Sequence, residues 1–308
     1  MLGGFFKRIF GPKPGPLGVD ELARRLGMTE RELRAIEISY HRFEVPKRTG
    51  GTRTIQAPAA PLKAIQRRIL HKSLRRLKSH PCATGFERGH SIVTNAQPHV
   101  GQEVVIKLDI RDFFGSTTVQ RVERYLYMIG WNADAAALLL RLCTHDGSLP
   151  QGAPTSPRLS NLVNYRMDAR LFTLAQARGL AYSRYADDMT FSGPARAPAL
   201  ATNPKTLEPK AGDAYRVNDI IQLVKEVVAE EGYALHTDKK LRIARRHSRQ
   251  MVTGLVVNQK VQLPRKTRRW LRAVEHRVAK TGQSTLTPQQ LQGWRALQSM
   301  IREGATGA

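Results

Sequence analysis

The chain has few cysteines and no long apolar run. Its two cysteines, Cys82 and Cys143, show neither Cys-x-x-Cys nor His-rich spacing, so the sequence indicates neither a disulfide framework nor a zinc site. The N-terminal MLGGFFKRIFG is apolar and basic, but it is too short to span a membrane and lacks the small-residue cleavage site of a signal peptide. We therefore expect a cytoplasmic protein with no membrane partner.

Acidic residues are also scarce. Asp and Glu number 25 against 50 Lys and Arg, which gives a formal net charge of +25. This charge implies a polyanionic partner, either nucleic acid or an acidic membrane surface, and membrane binding is the weaker interpretation. Between Lys239 and Lys280 there are 14 Lys or Arg and a single acid, Glu275. Aromatic residues make up only 6% of the chain, so recognition of a folded RNA or an RNA/DNA heteroduplex by shape and backbone is favoured over base stacking.

Two adjacent carboxylates lie in the stretch AYSRYADDMTFSG. Residues typical of β-strands flank Asp187 and Asp188 on both sides, which predicts a hairpin with the acidic pair at its turn. A mostly apolar run, formed by Val104, Val105, Ile106 and Leu108, ends at Asp109, as expected of a buried strand that delivers a carboxylate at its end. If either element is considered alone, the ordinary alternative is an Asp that only makes hydrogen bonds to the nearby backbone. Together, the three carboxylates predict a site for two Mg²⁺ ions that supports in-line nucleotidyl transfer.

The order of motifs along the chain resembles that of the reverse transcriptases. The matching blocks are VPKRTGGTRTIQAP (45–58), DIRDFF, LPQGAPTSPRLSNLV (149–163), YADD, LHTDKKLRI and MVTGLVVN. NAQPH (95–99) and Val252-Thr253-Gly254 match the Asn-Ala-x-x-His and Val-Thr-Gly signatures of retron enzymes. On these residues the chain is identified as a member of the bacterial retron reverse transcriptases.

This resemblance implies an α+β fold, that of a right-hand polymerase with an antiparallel-sheet palm, fingers and a short helical thumb. N-terminal helices and fingers are expected in 1–100, the palm in 101–244, and the primer grip and basic thumb in 245–308. The chain is expected to return to the fingers near 146–165 and to carry a loop insertion near 193–215. VDELARRLGMTERELRAIE also fits a helix-turn-helix DNA-binding motif, but the small helices before the fingers are the preferred interpretation.

The resemblance also implies roles in the catalytic centre. Metal binding is expected at Asp109, Ile110, Asp187 and Asp188, with two Mg²⁺ ions as the cofactor. Lys240 in TDKKLRI is the expected general acid for the pyrophosphate leaving group. Lys239 is its rival, and a solvated lysine pair is the alternative.

Candidate nucleotide-binding residues lie in three places. Lys47 and Arg53 flank a Thr-Gly-Gly turn between two strand-like segments, where a hairpin can close cations over a triphosphate. By resemblance, this pair grips the phosphates of the incoming deoxynucleotide. Gln151 belongs to the PQG block, in which Gly152 is expected to let the backbone approach the nucleotide and the template base closely.

The third place is DIRDFF. By resemblance, Phe114 is a steric gate that excludes a ribose 2′-OH. Phe113 is expected to point into the core instead, because neighbouring strand residues alternate between faces. Asp112 is expected to contribute only its backbone amide near the phosphates.

The retron signatures imply a set of RNA-contacting or primer-contacting residues. Expected members are Asn95, His99, Val252, Thr253, Gly254, Arg268, Arg269 and Arg272. The three arginines lie in RKTRRWLRAVEHRVAK, which predicts a basic helix with Trp270, Leu271, Val274 and Val278 on its apolar side. For Asn95 and His99 the alternatives are a turn cap and a buried, hydrogen-bonded imidazole.

The implied activity is RNA-directed DNA synthesis that starts from the 2′-OH of a guanosine in a structured noncoding RNA and leaves branched, RNA-linked DNA. The implied partners are this RNA, an RNA/DNA heteroduplex, deoxynucleotides and a retron effector protein, within an antiphage defence system. One alternative is a group II intron-type enzyme, which normally carries a longer thumb and a maturase region, for which 308 residues leave no room. The others are a different defence polymerase and a non-enzymatic RNA-binding scaffold.

Overall fold

The computed structural model describes residues 16–47, 50–194, 217–236 and 241–306. Two compact units make up the described chain. The first contains the described residues up to Ser79 together with Phe114–Val163, and the second contains His80–Phe113 and the described residues from Asn164 onward.

Helices and strands are mixed along the whole described chain. The α-helices are α1 (Val19–Leu26), α2 (Glu30–Ala35), α3 (Ala60–Ile69), α4 (Ile92–Ala96), α5 (Val119–Met128), α6 (Ala133–Cys143), α7 (Ser156–Val163), α8 (Tyr165–Gln176), α9 (Val217–Glu230), α10 (Arg265–Thr281) and α11 (Pro288–Thr306). The strands are β1 (Tyr40–Pro46), β2 (Thr52–Pro58), β3 (Val104–Asp109), β4 (Ala181–Tyr185), β5 (Asp188–Gly193), β6 (Arg242–Arg245), β7 (Met251–Val252) and β8 (Leu255–Val256). The ladders between these strands are antiparallel, which confirms the α+β class with an antiparallel sheet.

The predicted fingers, palm and thumb boundaries stay predictions, since the two compact units group the chain differently. Most of the predicted return segment 146–165 belongs to the first unit, which also contains the predicted fingers hairpin. The MLGGFFKRIFG segment lies outside the described residues, and so does nearly all of the predicted loop insertion near 193–215.

A helical core fills the first unit. Leu22 of α1, Leu33 of α2 and Leu142 of α6 are each 0% exposed and belong to one apolar cluster. Helix α2 begins at a capping box, in which the Thr29 hydroxyl accepts from the Glu32 amide and the Glu32 carboxylate accepts from the Thr29 amide. Both helices of the segment that fits a helix-turn-helix motif thus contribute fully buried side chains to this core.

Strands β1 and β2 form the hairpin predicted around the Thr-Gly-Gly turn. Their register runs from Tyr40 opposite Pro58 to Pro46 opposite Thr52. Most of β1 is exposed, including the apolar side chains of Phe43 and Val45. A hairpin with so little buried surface is held mainly by its ladder of backbone hydrogen bonds.

A four-stranded sheet with the order β4-β5-β3-β6 organises the second unit. Ile106 in β3 and Phe191 in β5 are both 0% exposed, and each such buried side chain contributes about 1.5–3 kcal/mol to stability. The Tyr182 ring of β4 stacks on Phe191 with 4.5 Å between centroids. Because β3 and β5 run antiparallel, the end of β3 and the start of β5 lie at the same edge of the sheet.

A second apolar cluster of this unit joins α4, the β7–β8 hairpin and the basic helix α10. Leu271 of α10 is 0% exposed and Val274 is 6% exposed, as the apolar face of this helix predicts. Trp270 was expected on that face, but it is 41% exposed and contacts Trp294 of α11 edge to face. Trp294 therefore covers part of the Trp270 indole, which does not belong to the apolar cluster.

No helix within the described ranges has both the length and the apolarity needed to cross a bilayer. Cys82 and Cys143 are free thiols, and both are buried.

Candidate active site

Three carboxylates predicted from the sequence meet at one edge of the four-stranded sheet. Asp109, the last residue of β3, lies directly opposite Asp188, the first residue of β5. Strands β4 and β5 form the predicted hairpin, in which Tyr185 pairs with Asp188 and leaves Asp187 in the two-residue turn. The Ile110 amide donates to the Asp187 carbonyl at 3.0 Å, which ties the turn to the end of β3.

A lysine and a histidine lie beside this acidic edge. The Lys107 Nζ is 3.8 Å from Asp188 Oδ1, and the His236 Nε2 is 3.9 Å from Asp109 Oδ1. The Asp109 side chain is 7% exposed, whereas that of Asp188 is 40% exposed. The Lys107 contact is long, so it offsets only part of the repulsion between the carboxylates.

The fit of this edge to a metal depends on oxygen donors. Mg²⁺ prefers oxygen ligands and keeps several of its own waters, so a few carboxylates suffice. Ile110 has an apolar side chain and can offer a metal only its main-chain carbonyl. Among the residues that the structure describes, no group of three or more His, Cys, Asp or Glu side chains stands ready to hold a metal ion. The edge therefore supplies the oxygen donors that Mg²⁺ prefers. In the described part of the chain, however, its carboxylates are not grouped around a single point.

The turn itself is strained. Ala186 has φ 59°, a left-handed conformation that non-glycine residues seldom adopt. Gly85 packs against this turn so closely that a Cβ on it would lie 2.6 Å from the Ala186 amide nitrogen. The adjacent Thr84 amide donates to the Arg184 carbonyl at 2.9 Å. Gly85 was not among the residues predicted from the sequence, where its only signal is a glycine in the loop before NAQPH.

The predicted nucleotide-binding cations lie on the β1–β2 hairpin of the first unit. Lys47 and Arg53 are both exposed, and the Lys47 amide donates to the Gly51 carbonyl at 2.9 Å to close the turn. The Gln56 amide of β2 donates to the Gln151 carbonyl at 2.8 Å, which anchors the hairpin to the PQG block.

Gly152 permits a close approach of the PQG block to β2, and its expected closeness to the nucleotide and template base stays a prediction. With φ 131°, a Cβ on Gly152 would lie 2.9 Å from the Gln56 carbonyl oxygen. A backbone with this φ is strained for any residue that has a side chain. In this structure, the lack of a side chain at this glycine therefore allows the PQG block to pack against β2.

The two phenylalanines of DIRDFF differ in burial. Phe113 is 4% exposed, as predicted for a core residue, and its ring lies 6.0 Å from that of Tyr233. Phe114 is half-buried and packs against the apolar cluster of the first unit. Asp112 is exposed with φ 43°, a left-handed backbone that Asp tolerates better than most residues.

Asn95 and His99 are buried, which corrects the expectation that they contact RNA. His99 is 0% exposed, with Nδ1 2.6 Å from the Ser192 hydroxyl and Nε2 2.8 Å from the Ser183 hydroxyl. Burial lowers the pKa of His99 to about 3, so the ring is neutral. Asn95 is 1% exposed and accepts from the Thr84 hydroxyl at 2.6 Å. Neither side chain is accessible to RNA in this structure, as in the alternative of a buried, hydrogen-bonded imidazole for His99, and a role of the two residues in positioning the priming region stays a prediction.

The Val-Thr-Gly signature forms the tight turn between β7 and β8. Thr253 has φ 45° and Gly254 has φ 84°, the pair of positive values that type I′ hairpin turns require. The Thr253 hydroxyl donates to the Ile92 carbonyl at 2.9 Å, which links the hairpin to the start of α4. Val252 is fully buried, so within this signature only Thr253 and Gly254 are accessible to a primer.

The predicted thumb cations are exposed on α10. Arg268, Arg269 and Arg272 all point away from the apolar cluster that buries Leu271. A cavity of about 540 Å³ lies between α10 and α11, and its lining includes Arg268 together with Arg295 and Arg302 of α11. Lys240 and its rival Lys239 lie outside the described residues.

Comparison with known proteins agrees with the resemblance inferred from the motifs. Residues 45–271 match the family model "Reverse transcriptase (RNA-dependent DNA polymerase)". The chain is 37% identical to the retron Mx162 reverse transcriptase of Myxococcus xanthus, over 90% of this chain and 62% of that protein. It is 38% identical to the retron Mx65 reverse transcriptase of the same species, over 85% of this chain and 63% of that protein. It is 35% identical to the retron Ec86 reverse transcriptase of Escherichia coli, over 73% of this chain and 65% of that protein.

Each of these relatives is thus matched over somewhat less than two thirds of its own length. Among solved structures, a telomerase from Candida albicans overlaps 77% of this chain and 48% of its own, with a TM-score of 0.46 and 11% identity. By its family match and its retron relatives, the chain belongs to the reverse transcriptase family.

Proposed function

We propose that this chain is an RNA-directed DNA polymerase that acts in a retron. The observation that carries the proposal is the acidic edge of the sheet, where Asp109 faces Asp188 in register and Asp187 occupies the adjoining turn. The paired strands and their turn bring these three residues to one edge of the sheet, where their carboxylates concentrate the negative charge that metal-assisted nucleotidyl transfer needs.

Two Mg²⁺ ions bound at these carboxylates would activate the primer hydroxyl and neutralise the triphosphate. Side chains of this protein bind the nucleotide, select its sugar and donate a proton to the leaving group. Lys47 and Arg53 grip the phosphates as a point charge and a planar fork, and Gln151 lies beside the nucleotide. Phe114 excludes a ribose 2′-OH, and Lys240 protonates the leaving pyrophosphate.

Primer extension tests the polymerase activity directly. On a DNA primer annealed to an RNA template, Asp187→Asn or Asp188→Asn should lower the rate at least ~10³-fold, about 4 kcal/mol in the barrier, since each removes charge at an electrostatic site. The exposed Asp134 of α6 offers a matched control, and Asp134→Asn should leave the rate unchanged. Near-normal extension by either site variant would contradict the assignment.

The substrate we propose is a structured noncoding RNA. The similarity to three retron reverse transcriptases, together with the Asn-Ala-x-x-His and Val-Thr-Gly motifs, supports priming from a guanosine 2′-OH and a branched RNA-linked DNA product. The exposed arginines of α10 would track the phosphates of this RNA and of the RNA/DNA heteroduplex, and Thr253 with Gly254 would lie near the primer end. Our proposal includes a role in antiphage defence with a separate effector protein, as the resemblance of the motifs to retron enzymes implies.

Sequencing the nucleic acid that co-purifies with the protein tests this substrate. A single dominant RNA joined to DNA should be recovered, and the DNA should shorten only after debranching enzyme and ribonuclease treatment. Unbranched DNA would favour another kind of defence or intron-type polymerase. RNA without any DNA, from a protein that also fails in primer extension, would favour a non-enzymatic scaffold.

A further inference from the structure

An arginine next to the YADD turn is buried with a carboxylate partner inside the second unit. Arg184 of β4 and Asp168 of α8 are each 0% exposed. The guanidinium donates to both carboxylate oxygens, with Nε to Oδ1 at 2.7 Å and Nη2 to Oδ2 at 2.6 Å. The Tyr182 hydroxyl also donates to Oδ1, at 3.2 Å. Asp168 is therefore held by three donors, and Arg184 is fixed in one orientation.

The third guanidinium nitrogen reaches the YADD turn. Arg184 Nη1 donates to the Ala186 carbonyl oxygen at 3.0 Å. Ala186 is the strained residue of this turn, with φ 59°, and Asp187 follows it directly. An interaction that holds the Ala186 carbonyl therefore helps to keep the turn in a conformation that this residue would not adopt unaided.

The same guanidinium also contacts the segment that follows β3. The Arg184 Cζ lies 5.4 Å from the centre of the Phe113 ring, within the range of a cation–π contact. Phe113 comes four residues after Asp109 and immediately before Phe114. One buried side chain thus touches the two segments that carry all three candidate carboxylates.

A buried ion pair adds little net stability to a folded protein. Taking both charges out of water costs several kcal/mol per ion, and apolar residues of similar volume often fill such a site equally well. An apolar side chain, however, cannot hold the Ala186 carbonyl. We infer that Arg184, oriented by Asp168, is a positioning residue that fixes the YADD turn relative to the end of β3. This inference rests on the proposed polymerase function, because the turn matters only if its carboxylates do the chemistry.

Replacement of the pair separates positioning from folding. The double variant Arg184→Met with Asp168→Leu leaves neither charge of the pair buried without its partner, so we expect the fold to be retained. We expect its kcat for primer extension to fall about 100-fold, the scale of a misplacement of about 1 Å, while the KM for deoxynucleotides changes little. Arg184→Lys keeps the charge but lacks the fork that serves Asp168 and Ala186 together, so its kcat should be intermediate. A double variant that melts near the wild-type temperature and keeps wild-type kcat overturns the inference.

Tyr182→Phe is the matched control. It removes a donor from the same Asp168 oxygen and leaves the contact with Ala186 in place. Its kcat should stay near that of the wild type even if its melting temperature drops. An equal fall in kcat in Tyr182→Phe and in the double variant would assign the pair a general structural role and overturn the inference.

Hydrogen exchange reports the position of the turn without any catalysis. The Ile110 amide is protected by its bond to the Asp187 carbonyl, so it exchanges faster if the turn moves away from β3. Exchange at Ile110 should accelerate in the double variant but not in Tyr182→Phe, and unchanged exchange in the double variant would overturn the inference. An inactive wild type would refute the proposed function, whereas this exchange comparison would still decide whether Arg184 positions the turn.

Discussion

Replacing His99 with glutamine tests the burial of this imidazole through the pH dependence of stability. Burial lowers the pKa of His99 from its ordinary value of 6.5 to about 3, so the folded protein keeps the ring neutral while the unfolded chain takes up a proton below pH 6.5. The stabilisation from this neutral ring is fully present above pH 6.5 and is lost as pH falls from 6.5 toward 3. At pH 5, about 1.5 units below the ordinary value, the wild type should have lost roughly 2 kcal/mol.

Glutamine cannot titrate in this range, and it can still donate and accept hydrogen bonds between Ser183 and Ser192. At pH 7.5 the variant should be less stable than the wild type by about 1–3 kcal/mol, because it replaces well-fitted hydrogen bonds. Urea unfolding of both proteins at pH 7.5 and pH 5 measures the effect. The gap in unfolding free energy should shrink by roughly 2 kcal/mol at the lower pH. An equal gap at the two pH values would show that His99 is not held neutral, and the reasoning from burial would fail.

Three further predictions concern the polymerase site. Phe114→Ala should raise ribonucleotide incorporation in primer extension, because the proposed exclusion is steric, whereas Phe113→Ala should instead lower the unfolding free energy by about 3–5 kcal/mol; the opposite pattern would mean that the two rings are assigned backwards. Gly85→Ala should lower primer-extension activity more than Gly293→Ala, since the added Cβ would lie 2.6 Å from the Ala186 nitrogen, while nothing lies within 4 Å of a Cβ on Gly293 of α11; equal activity of the two variants would show that the turn tolerates displacement. If about six cations contact phosphates, the logarithm of RNA affinity should fall against the logarithm of salt concentration with a slope of roughly −4 to −5, and a slope near zero would contradict backbone recognition.

Local sequence pattern was enough to predict the elements that carry the acidic residues. The apolar run before Asp109 and the strand-like residues around Asp187 predicted two elements whose ends meet, and the sheet register bears this out. The Thr-Gly-Gly turn between Lys47 and Arg53 predicted the β1–β2 hairpin in the same way. In each case the signal lies within about ten residues, where period and turn chemistry are informative.

Polar residues that become buried through distant contacts could not be predicted in this way. His99 finds its serine partners 84 and 93 residues away in the chain, and no local pattern distinguishes it from an exposed histidine. Arg184 lies in a strand beside the acidic pair, where an arginine is expected to be exposed until its partner on α8 is known. The retron signature around His99 therefore suggested RNA contact, whereas the structure shows a hydrogen-bonded packing residue.

The two buried thiols have a practical consequence for spectroscopy. Burial raises the pKa of Cys143 to about 12 and also raises that of Cys82, so neither forms an appreciable thiolate near neutral pH. Thiol-reactive dyes attack the thiolate and need access to it, so the native chain should remain unlabelled in its folded state. A single cysteine introduced on the exposed β1–β2 hairpin and another on the exposed face of α10 would then accept a donor and an acceptor dye without removal of the natural cysteines. Energy transfer between the dyes could follow the hairpin and the basic helix as RNA and nucleotide bind.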